Sequence, residues 1–89
     1  MHDFRIDARV IVAERSNVLR VPLGALFRDG ERWAVYVVRG GRAALTPVEG
    51  GLEDDSAREI TRGLELGETV VLFPSSEVRD GVRLKALSR

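Results

Sequence analysis

The sequence is short of the residues on which much protein chemistry depends. Among its 89 residues there is no cysteine and a single histidine, His2. Disulfides and thiolate metal sites are therefore excluded, and a zinc site would have too few ligands. A Ser-His-Asp or Cys-His arrangement needs a positioned imidazole, and His2 stands at the very start of the chain. The sequence thus predicts no catalytic residues, no metal site and no cofactor, and we interpret the chain as a non-enzyme.

Long apolar runs and an excess of one charge are also missing. The sequence holds no run of about 18 apolar residues, so no segment is predicted to span a membrane, and no signal peptide is recognisable. Its 14 basic residues balance 14 acidic ones, whereas a nucleic-acid-binding domain usually has a basic excess. We therefore expect no nucleic-acid partner. The abrupt start at Met1–Asp3, directly before a strand pattern, suggests a piece of a longer protein.

The strongest local signal that is present is a hairpin at Gly40-Gly41. On either side, 33–39 and 42–48 are rich in apolar and β-branched residues. Two glycines can both adopt positive φ, as a type I′ turn requires. The first run is apolar on both faces, so we expect a strand inside a sheet with cover on each side. Pro47 cannot donate to a ladder, so the second run is expected near an edge.

Short strand patterns occupy most of the remaining chain. Phe4–Val12 alternates apolar and polar residues, as a half-buried strand does. Further strands are predicted at Val18–Val21, Ala57–Thr61, Thr69–Phe73 and Val82–Ala86. The prediction is an all-β fold, a small β-roll or barrel of about six to eight short strands with one or two helical turns.

The connections between these strands have turn and loop compositions. Leu23–Phe27 is too short for a stable helix and is predicted to form a single helical turn or a tight bend, and Ser75–Asp80 is predicted to form one helical turn. Glu49–Ser56 is predicted to be an exposed loop, and its Gly50-Gly51 pair is interpreted as a hairpin turn.

Candidate contact residues come from the arginines beside the predicted turns. These are Arg28, Arg32, Arg39 and Arg42. They are either a contact surface for an acidic partner, since arginine is enriched in interfaces, or solvated strand ends that deter edge-to-edge pairing. The acidic loop Glu53–Asp55 is a weaker candidate contact and lacks the ligand spacing of a calcium loop. Trp33 has the residue type to stack on a ligand, but we interpret it as a core residue.

Several segments, in order and spacing, resemble the C-terminal region of periplasmic adaptor proteins, also called membrane fusion proteins of the HlyD type. The segments are Val18–Leu26, Trp33–Val38, Val48–Gly50, Glu59–Val71 and Asp80–Leu84. Such adaptors serve tripartite efflux pumps and related exporters. The resemblance implies a non-enzymatic interaction module, a fragment of an adaptor that links an inner-membrane transporter to an outer-membrane channel in efflux or secretion.

The same resemblance implies a domain layout and a set of partners. Residues 1–15 would hold the last strand of an otherwise missing β-barrel domain, and residues 16–89 the membrane-proximal β-roll. The implied partners are an inner-membrane transporter of RND or ABC type, through the membrane-proximal surface, and other adaptor copies. The implied location is the periplasm. The sequence has no α-hairpin, lipoyl-like domain or membrane anchor, so membrane contact is expected only through missing parts of the chain.

Two other interpretations compete with the adaptor. One is a free-standing PRC-barrel-like module, a small β-barrel that binds protein or RNA partners and also has short strands and a Val-Pro near its start. The other is a small β-barrel enzyme, which the scarcity of His and Cys disfavours. The upstream reading frame would discriminate between them, because a long hairpin with heptads there is expected only for an adaptor.

Overall fold

The computed structural model of the chain describes residues 4–11, 13–15, 18–75 and 78–86. Within these ranges the regular structure is strand, apart from one turn of 3-10 helix at Leu23–Ala25. The strands are β1 (Phe4–Val10), β2 (Ala13–Arg15), β3 (Val18–Pro22), β4 (Phe27–Asp29), β5 (Arg32–Arg39), β6 (Arg42–Glu53), β7 (Ala57–Arg62), β8 (Thr69–Leu72) and β9 (Leu84–Ala86). The predicted all-β fold is confirmed.

Two details of that prediction differ. The described residues form nine strands, because the three-residue strands β2 and β4 add to those predicted. The helical turn expected at Leu23–Phe27 is present but ends at Ala25. The second, expected at Ser75–Asp80, includes residues 76 and 77, which lie outside the described residues.

All nine strands belong to one sheet with β5 near its middle. The order is β2-β3-β7-β6-β5-β8-β1-β9, with β4 attached beside β5. Neighbouring strands pair antiparallel except β1 and β9, which are parallel. β5 pairs with β6 from Trp33 to Arg39, with β8 at Val37 and with β4 at its N-terminal end. The backbone of β5 is therefore paired with neighbouring strands on both sides.

The hairpin of β5 and β6 forms as predicted. Seven consecutive residue pairs join 33–39 of β5 to 42–48 of β6. Gly40 and Gly41 have φ of +57° and +76°. Both values belong to the left-handed region that a type I′ turn needs and that glycine adopts at no steric cost.

Two hydrophobic clusters cover the opposite faces of β5 and β8. Val70 belongs to the first and its neighbour Val71 to the second, because successive residues of a strand point to opposite faces. The first contains Ile11, Val21, Ala25, Val35, Val37, Val48, Ile60, Leu64 and Val70, and the second Ile6, Ala43, Val71, Val78 and Leu84. The predicted cover on both faces of β5 is confirmed. Each fully buried aliphatic side chain stabilises the fold by about 1.5–3 kcal/mol, so the strand is fixed from both faces.

β6 is longer and more central than the sequence predicts. The loop predicted at Glu49–Ser56 is wrong over its first half, because β6 continues to Glu53 and pairs with β7. The edge position predicted for the run that contains Pro47 holds for 42–48, which among the named strands pairs only with β5, although β6 as a whole lies between β5 and β7. Pro47 is tolerated because its stretch of β6 pairs with β5, while the ladder with β7 begins at Glu49.

Gly50 and Gly51 lie inside β6 and do not form the hairpin turn that their composition suggested. Neither is among the residues with positive φ. A Cβ on Gly50 would stand 2.9 Å from Cδ of Arg58, and one on Gly51 would stand 3.3 Å from Oε1 of Glu59. The two glycines therefore make room for side chains of β7.

The turn between β6 and β7 is made by Asp54. Its Oδ1 accepts hydrogen bonds from the backbone N–H groups of Ser56, at 2.9 Å, and Ala57, at 3.0 Å. An aspartate that bonds its own chain two residues on mimics a backbone turn. The Ser56 N–H first, then the guanidinium of Arg20 and the Ala57 N–H, hold the pKa of the Asp54 carboxyl well below its usual range.

β1 belongs to the same sheet as the rest of the chain. Its C-terminal half pairs antiparallel with β8 and its N-terminal half parallel with β9. The alternation predicted as far as Val12 breaks down at Val10, which is exposed, while Ile11 is buried. The reason is that β1 ends at Val10 and the Ile11 N–H donates to the carbonyl of Glu68, at 2.7 Å. Val12 lies outside the described residues.

The link from β7 to β8 passes close to β6 at Gly63. Its φ is +106°, and a Cβ there would stand 2.9 Å from Cα of Val48. The next side chain, Leu64, is buried in the first cluster. Glycine is thus needed at position 63 for two reasons: its φ is positive, and the neighbouring β6 leaves no room for a Cβ.

Candidate partner-contact surface

The four arginines singled out from the sequence lie at opposite ends of β5. Arg28 in β4 stands opposite Trp33, and Arg32 is the first residue of β5. Arg39 and Arg42 flank the β5–β6 turn. β5 has eight residues, and at about 3.4 Å per residue its ends are about 24 Å apart. The structure therefore groups the arginines as two pairs and not as one basic edge.

The pair beside the β5–β6 turn is bound within the domain. Arg39 Nη2 donates to Glu68 Oε2 at 2.8 Å, and Arg42 Nη1 donates to the carbonyl of Gly81 at 3.0 Å. Partial burial opposes ionisation of Glu68, but hydrogen bonds from Arg39 and the Glu65 N–H outweigh it and hold the pKa of Glu68 below its usual range. Both guanidinium groups at this end thus already have acceptors in the chain.

The other end of β5 carries a tryptophan between two arginines. Cζ of Arg28 lies 5.0 Å from the centroid of the Trp33 ring, and Cζ of Arg58 lies 5.6 Å from it. Both distances are within the range of about 6 Å for a cation–π contact. Trp33 is half-buried and packs against the first hydrophobic cluster. Its interpretation as a core residue is confirmed in part, because the same indole also supports two cations.

The two arginines on Trp33 reach it from different sides. Arg28 belongs to β4 and is opposite Trp33 in the ladder. Arg58 belongs to β7 and passes over Gly50 of β6, where a Cβ would block it. Sequence reasoning missed Arg58, because the only signal was the glycine at position 50 on another strand, and its meaning depends on the register of β6 and β7.

The ion pairing of the two arginines that contact Trp33 also differs. Arg58 Nη1 donates to Glu53 Oε1 at 2.8 Å. Arg28 is exposed, and the ion pairs of the described residues do not include it. The Arg28 guanidinium therefore faces solvent while its orientation is set by the indole.

Arg32 lies beside a shallow groove of mixed charge. The groove has a volume of about 190 Å³ and is lined by Arg32, Pro47, Val48, Glu49, Arg62 and Gly63. It offers two guanidinium groups and one carboxylate over an apolar floor. Such a two-signed surface suits contact with a protein better than contact with a polyanion.

Phe73 is a surface residue that the sequence did not indicate. It was predicted as the last residue of a buried strand, but β8 ends at Leu72 and Phe73 is 74% exposed. Its φ is +51°, which is uncommon for a residue with a Cβ. Its N–H donates to the Gly24 carbonyl at 2.7 Å and its ring lies on Gly24, where a Cβ would be 2.7 Å from Cζ. In the sequence, only Pro74 signalled that the strand ends. A proline at that position gives no information about whether Phe73 is buried or exposed.

The acidic loop, the weaker candidate contact, is used by the fold. Glu53 binds Arg58, and Asp54 binds Arg20 and closes the turn. Among the residues that the structure describes, no group of three or more His, Cys, Asp or Glu side chains could hold a metal ion. The described part of the chain also contains no helix of the length and hydropathy needed to cross a membrane.

Comparison with known proteins relates the chain to one set of relatives. Residues 18–86 match the family model of the YknX C-terminal, permuted SH3-like domain. Over 76 residues the chain is 30% identical to YknX of Bacillus subtilis (strain 168), which is described as a proposed efflux system component. The match covers 85% of this chain and 20% of YknX. The chain thus spans about a fifth of the length of this relative.

A solved structure extends the similarity to the fold. It is the NMR structure of a 180-residue piece of SilB from Cupriavidus metallidurans CH34, which encompasses the N-terminal metal-binding site and the membrane proximal domain of SilB. The TM-score is 0.65 at 26% sequence identity, over 88% of this chain and 43% of that one. Sequence and backbone therefore lead to the same group of proteins.

Proposed function

Because the chain belongs to the family of YknX C-terminal permuted SH3-like domains, an HlyD-type adaptor family, we propose that it is a non-enzymatic docking module of an export complex. The resemblance to HlyD-type adaptors noted in the sequence is thereby confirmed. The observation that carries the proposal is the family match over 18–86, which includes the central hairpin and the strands on both sides of it.

The proposed assembly is larger than this chain. We assign the chain to an adaptor that links an inner-membrane transporter, of RND or ABC type, to an outer-membrane channel, with other adaptor copies around it and the periplasm as its location. Support comes from the description of YknX and from the membrane proximal domain within the SilB structure. Since the chain matches 20% of YknX, contacts with a channel would come from the remaining parts of such a protein.

The proposed domain division follows from the same relatives. Residues 1–15 would be the last strand of a preceding β-barrel domain, and residues 16–89 the membrane-proximal domain. The family match begins at Val18 and leaves β1 and β2 outside it, which supports this boundary. In the described structure β1 is nonetheless hydrogen-bonded to β8 and β9, so the strand would serve as a rigid connection between the two domains.

The proposed docking residues are the four arginines at the ends of β5. Arg28, Arg32, Arg39 and Arg42 are all exposed. The chain has balanced charge, with 14 basic and 14 acidic residues, and balanced, two-signed surfaces favour protein partners over polyanions. A lone copy would bind weakly, because several copies around one transporter add avidity.

The test uses the full-length adaptor and compares the two ends of β5. One variant reverses charge at Arg28 and Arg32, and the matched variant reverses it at Arg39 and Arg42. After a check that the folding midpoint is retained, cross-linking to the transporter and export are measured. We expect at least one variant to lose both. Full cross-linking and full export in both variants would exclude these arginines as the docking surface.

A further inference from the structure

The Arg28 side chain is held ready to bind a planar anion. Its guanidinium carbon lies over the Trp33 ring, 5.0 Å from the ring centroid and within cation–π range, and Trp33 is fixed by its position in β5 and by the first hydrophobic cluster. A guanidinium in a cation–π contact keeps N–H groups free to donate, and two of them match the two oxygens of a carboxylate. Stacking also restricts the rotamers of the arginine before any partner arrives, which lowers the entropy cost of binding.

The same indole already supports one complete pair of this kind. Arg58, stacked at 5.6 Å, binds the Glu53 carboxylate at 2.8 Å. Arg28 has the same side chain on the same ring, but it is exposed and outside the ion pairs of the described residues. Of the two arginines on Trp33, Arg58 therefore already binds a carboxylate, whereas Arg28 does not.

The local charges favour an acidic partner at Arg28 in particular. Successive strand residues point to opposite faces, so Arg28 shares the face of Trp33, while Asp29 lies on the other face, across from Arg32. Glu53 is engaged by Arg58. Arg32 in contrast has Asp29 opposite it and Glu49 in its groove.

We propose that Arg28, stacked on Trp33, is the residue that binds a carboxylate side chain of the protein partner, and that Arg58 positions the indole. The inference rests on the proposed docking function and narrows it from four arginines to one arginine and one tryptophan. The partner segment it fits is an acidic one, with an Asp or Glu presented to the β4–β5 edge. Arg39 and Arg42 then serve the fold through Glu68 and Gly81.

The first test is a titration of the chain with peptides of defined charge. The probe is an acetylated, amidated peptide of alternating Glu and Ala, and its control has Gln in place of Glu. Trp33 is the only tryptophan, so its fluorescence and the Arg28 Nε–H resonance report on this site. We expect saturable changes with the Glu peptide and none with the Gln peptide.

Substitutions test whether Arg28 is responsible for binding the Glu peptide. We expect Arg28→Gln to weaken it about tenfold or more, and Arg28→Lys to weaken it nearly as much, because lysine keeps the charge but lacks the planar fork. Arg79→Gln should bind as the unmodified chain does, because Arg79 is an exposed arginine beside Tyr36, on the face of the sheet opposite Trp33. Equal binding by Arg28→Gln, or tighter binding of inorganic phosphate than of the Glu peptide, would overturn the proposal.

The second test separates this inference from the proposed function. In the full-length adaptor, cross-linking to the transporter should fall with Arg28→Gln and be unchanged with Arg79→Gln, at equal folding midpoints. Cross-linking that is present but unaffected by Arg28→Gln would overturn the Arg28 site and leave the docking function standing. Absence of any transporter cross-link, together with normal binding of the Glu peptide, would overturn the docking function and leave the carboxylate site.

Discussion

Two glycine pairs at the two ends of β6 have the same sequence and opposite uses. Gly40-Gly41 lies before the strand, has positive φ at both residues, and has no atom within 4 Å of where a Cβ would be. Gly50-Gly51 lies inside the strand, is absent from the positive-φ residues, and has side chains of β7 where its Cβ atoms would be. The first pair is needed for its backbone and the second for the room it leaves.

The comparison separates two demands that a glycine can meet. A need for positive φ is local, and any L-residue with a branched side chain is penalised there. A need for space depends on the neighbouring strand, and there even alanine is disfavoured, because its Cβ would meet atoms of that strand. Substitutions can therefore tell the two apart, and the following predictions are arranged from the largest expected effect to the smallest.

Gly63→Ala should have the largest effect, because both demands meet at this residue. Its φ is +106° and a Cβ would press on backbone atoms of β6, 2.9 Å from Cα of Val48. Strain and overpacking together should lower the free energy of unfolding by about 2–6 kcal/mol. The midpoint of thermal unfolding should then fall by at least about 8 °C. A loss no greater than that of the Gly40-Gly41 variant below would show that the two demands do not add.

Replacing Gly40 and Gly41 together by Val should destabilise less, since only the backbone demand is violated. The left-handed conformation costs about 1–2 kcal/mol for each L-residue, so we expect a loss of about 2–4 kcal/mol by denaturant unfolding. The matched control is Gly40→Asn, which tolerates positive φ and should change the midpoint little. If the Val pair left the midpoint unchanged, the two-glycine turn would not limit the hairpin.

Gly50→Ala should cost about 1–3 kcal/mol, because its Cβ would meet the Arg58 side chain and would stand 3.2 Å from the backbone carbonyl oxygen of Glu59. Its signature is spectroscopic. The new methyl group displaces Arg58 from Trp33, so the fluorescence of this single tryptophan should change while the fold is kept. Gly40→Asn should leave that fluorescence as it is. An unchanged emission spectrum in Gly50→Ala would mean that Arg58 reaches Trp33 without needing the gap.

Asp54→Asn should have the smallest effect, and its signature is the pH dependence of stability. The folded-state pKa of Asp54 lies below its unfolded value, so its contribution is present above about pH 4 and is lost as the pH falls through the folded pKa. The unmodified chain should therefore lose more stability between about pH 4 and pH 2 than the variant does. Equal acid sensitivity in both, measured by thermal unfolding, would remove the Asp54 turn as its cause.

The sequence could predict the features that depend only on residues close together in the chain. The Gly40-Gly41 turn and the double cover of β5 follow from neighbouring residues, and both are present. The extension of β6 through Gly50-Gly51 could not be predicted, because it depends on the register with β7. Asp54 was considered for its charge, whereas its role in the turn depends on the N–H groups of Ser56 and Ala57.

The candidate site shows the same limit. Counting arginines near turns found Arg28 and Arg32 but grouped them with Arg39 and Arg42, since the length of β5 was not used to separate them. The partner that gives Arg28 its orientation is Trp33, five positions along the chain, and the register of β4 and β5 brings them together. Arg58 is 25 positions from Trp33 in the sequence and no local pattern connects them.

The parallel pairing of β1 with β9 has a mechanical consequence. Phe4 stands beside Leu84, and Ile6 beside Ala86. Tension that enters at Phe4 and leaves at Ala86 pulls the two strands along their lengths in opposite directions. All their hydrogen bonds then share the force, whereas an antiparallel pair pulled from one end would open one bond at a time. A domain closed by a parallel pair therefore resists being stretched between Phe4 and Ala86.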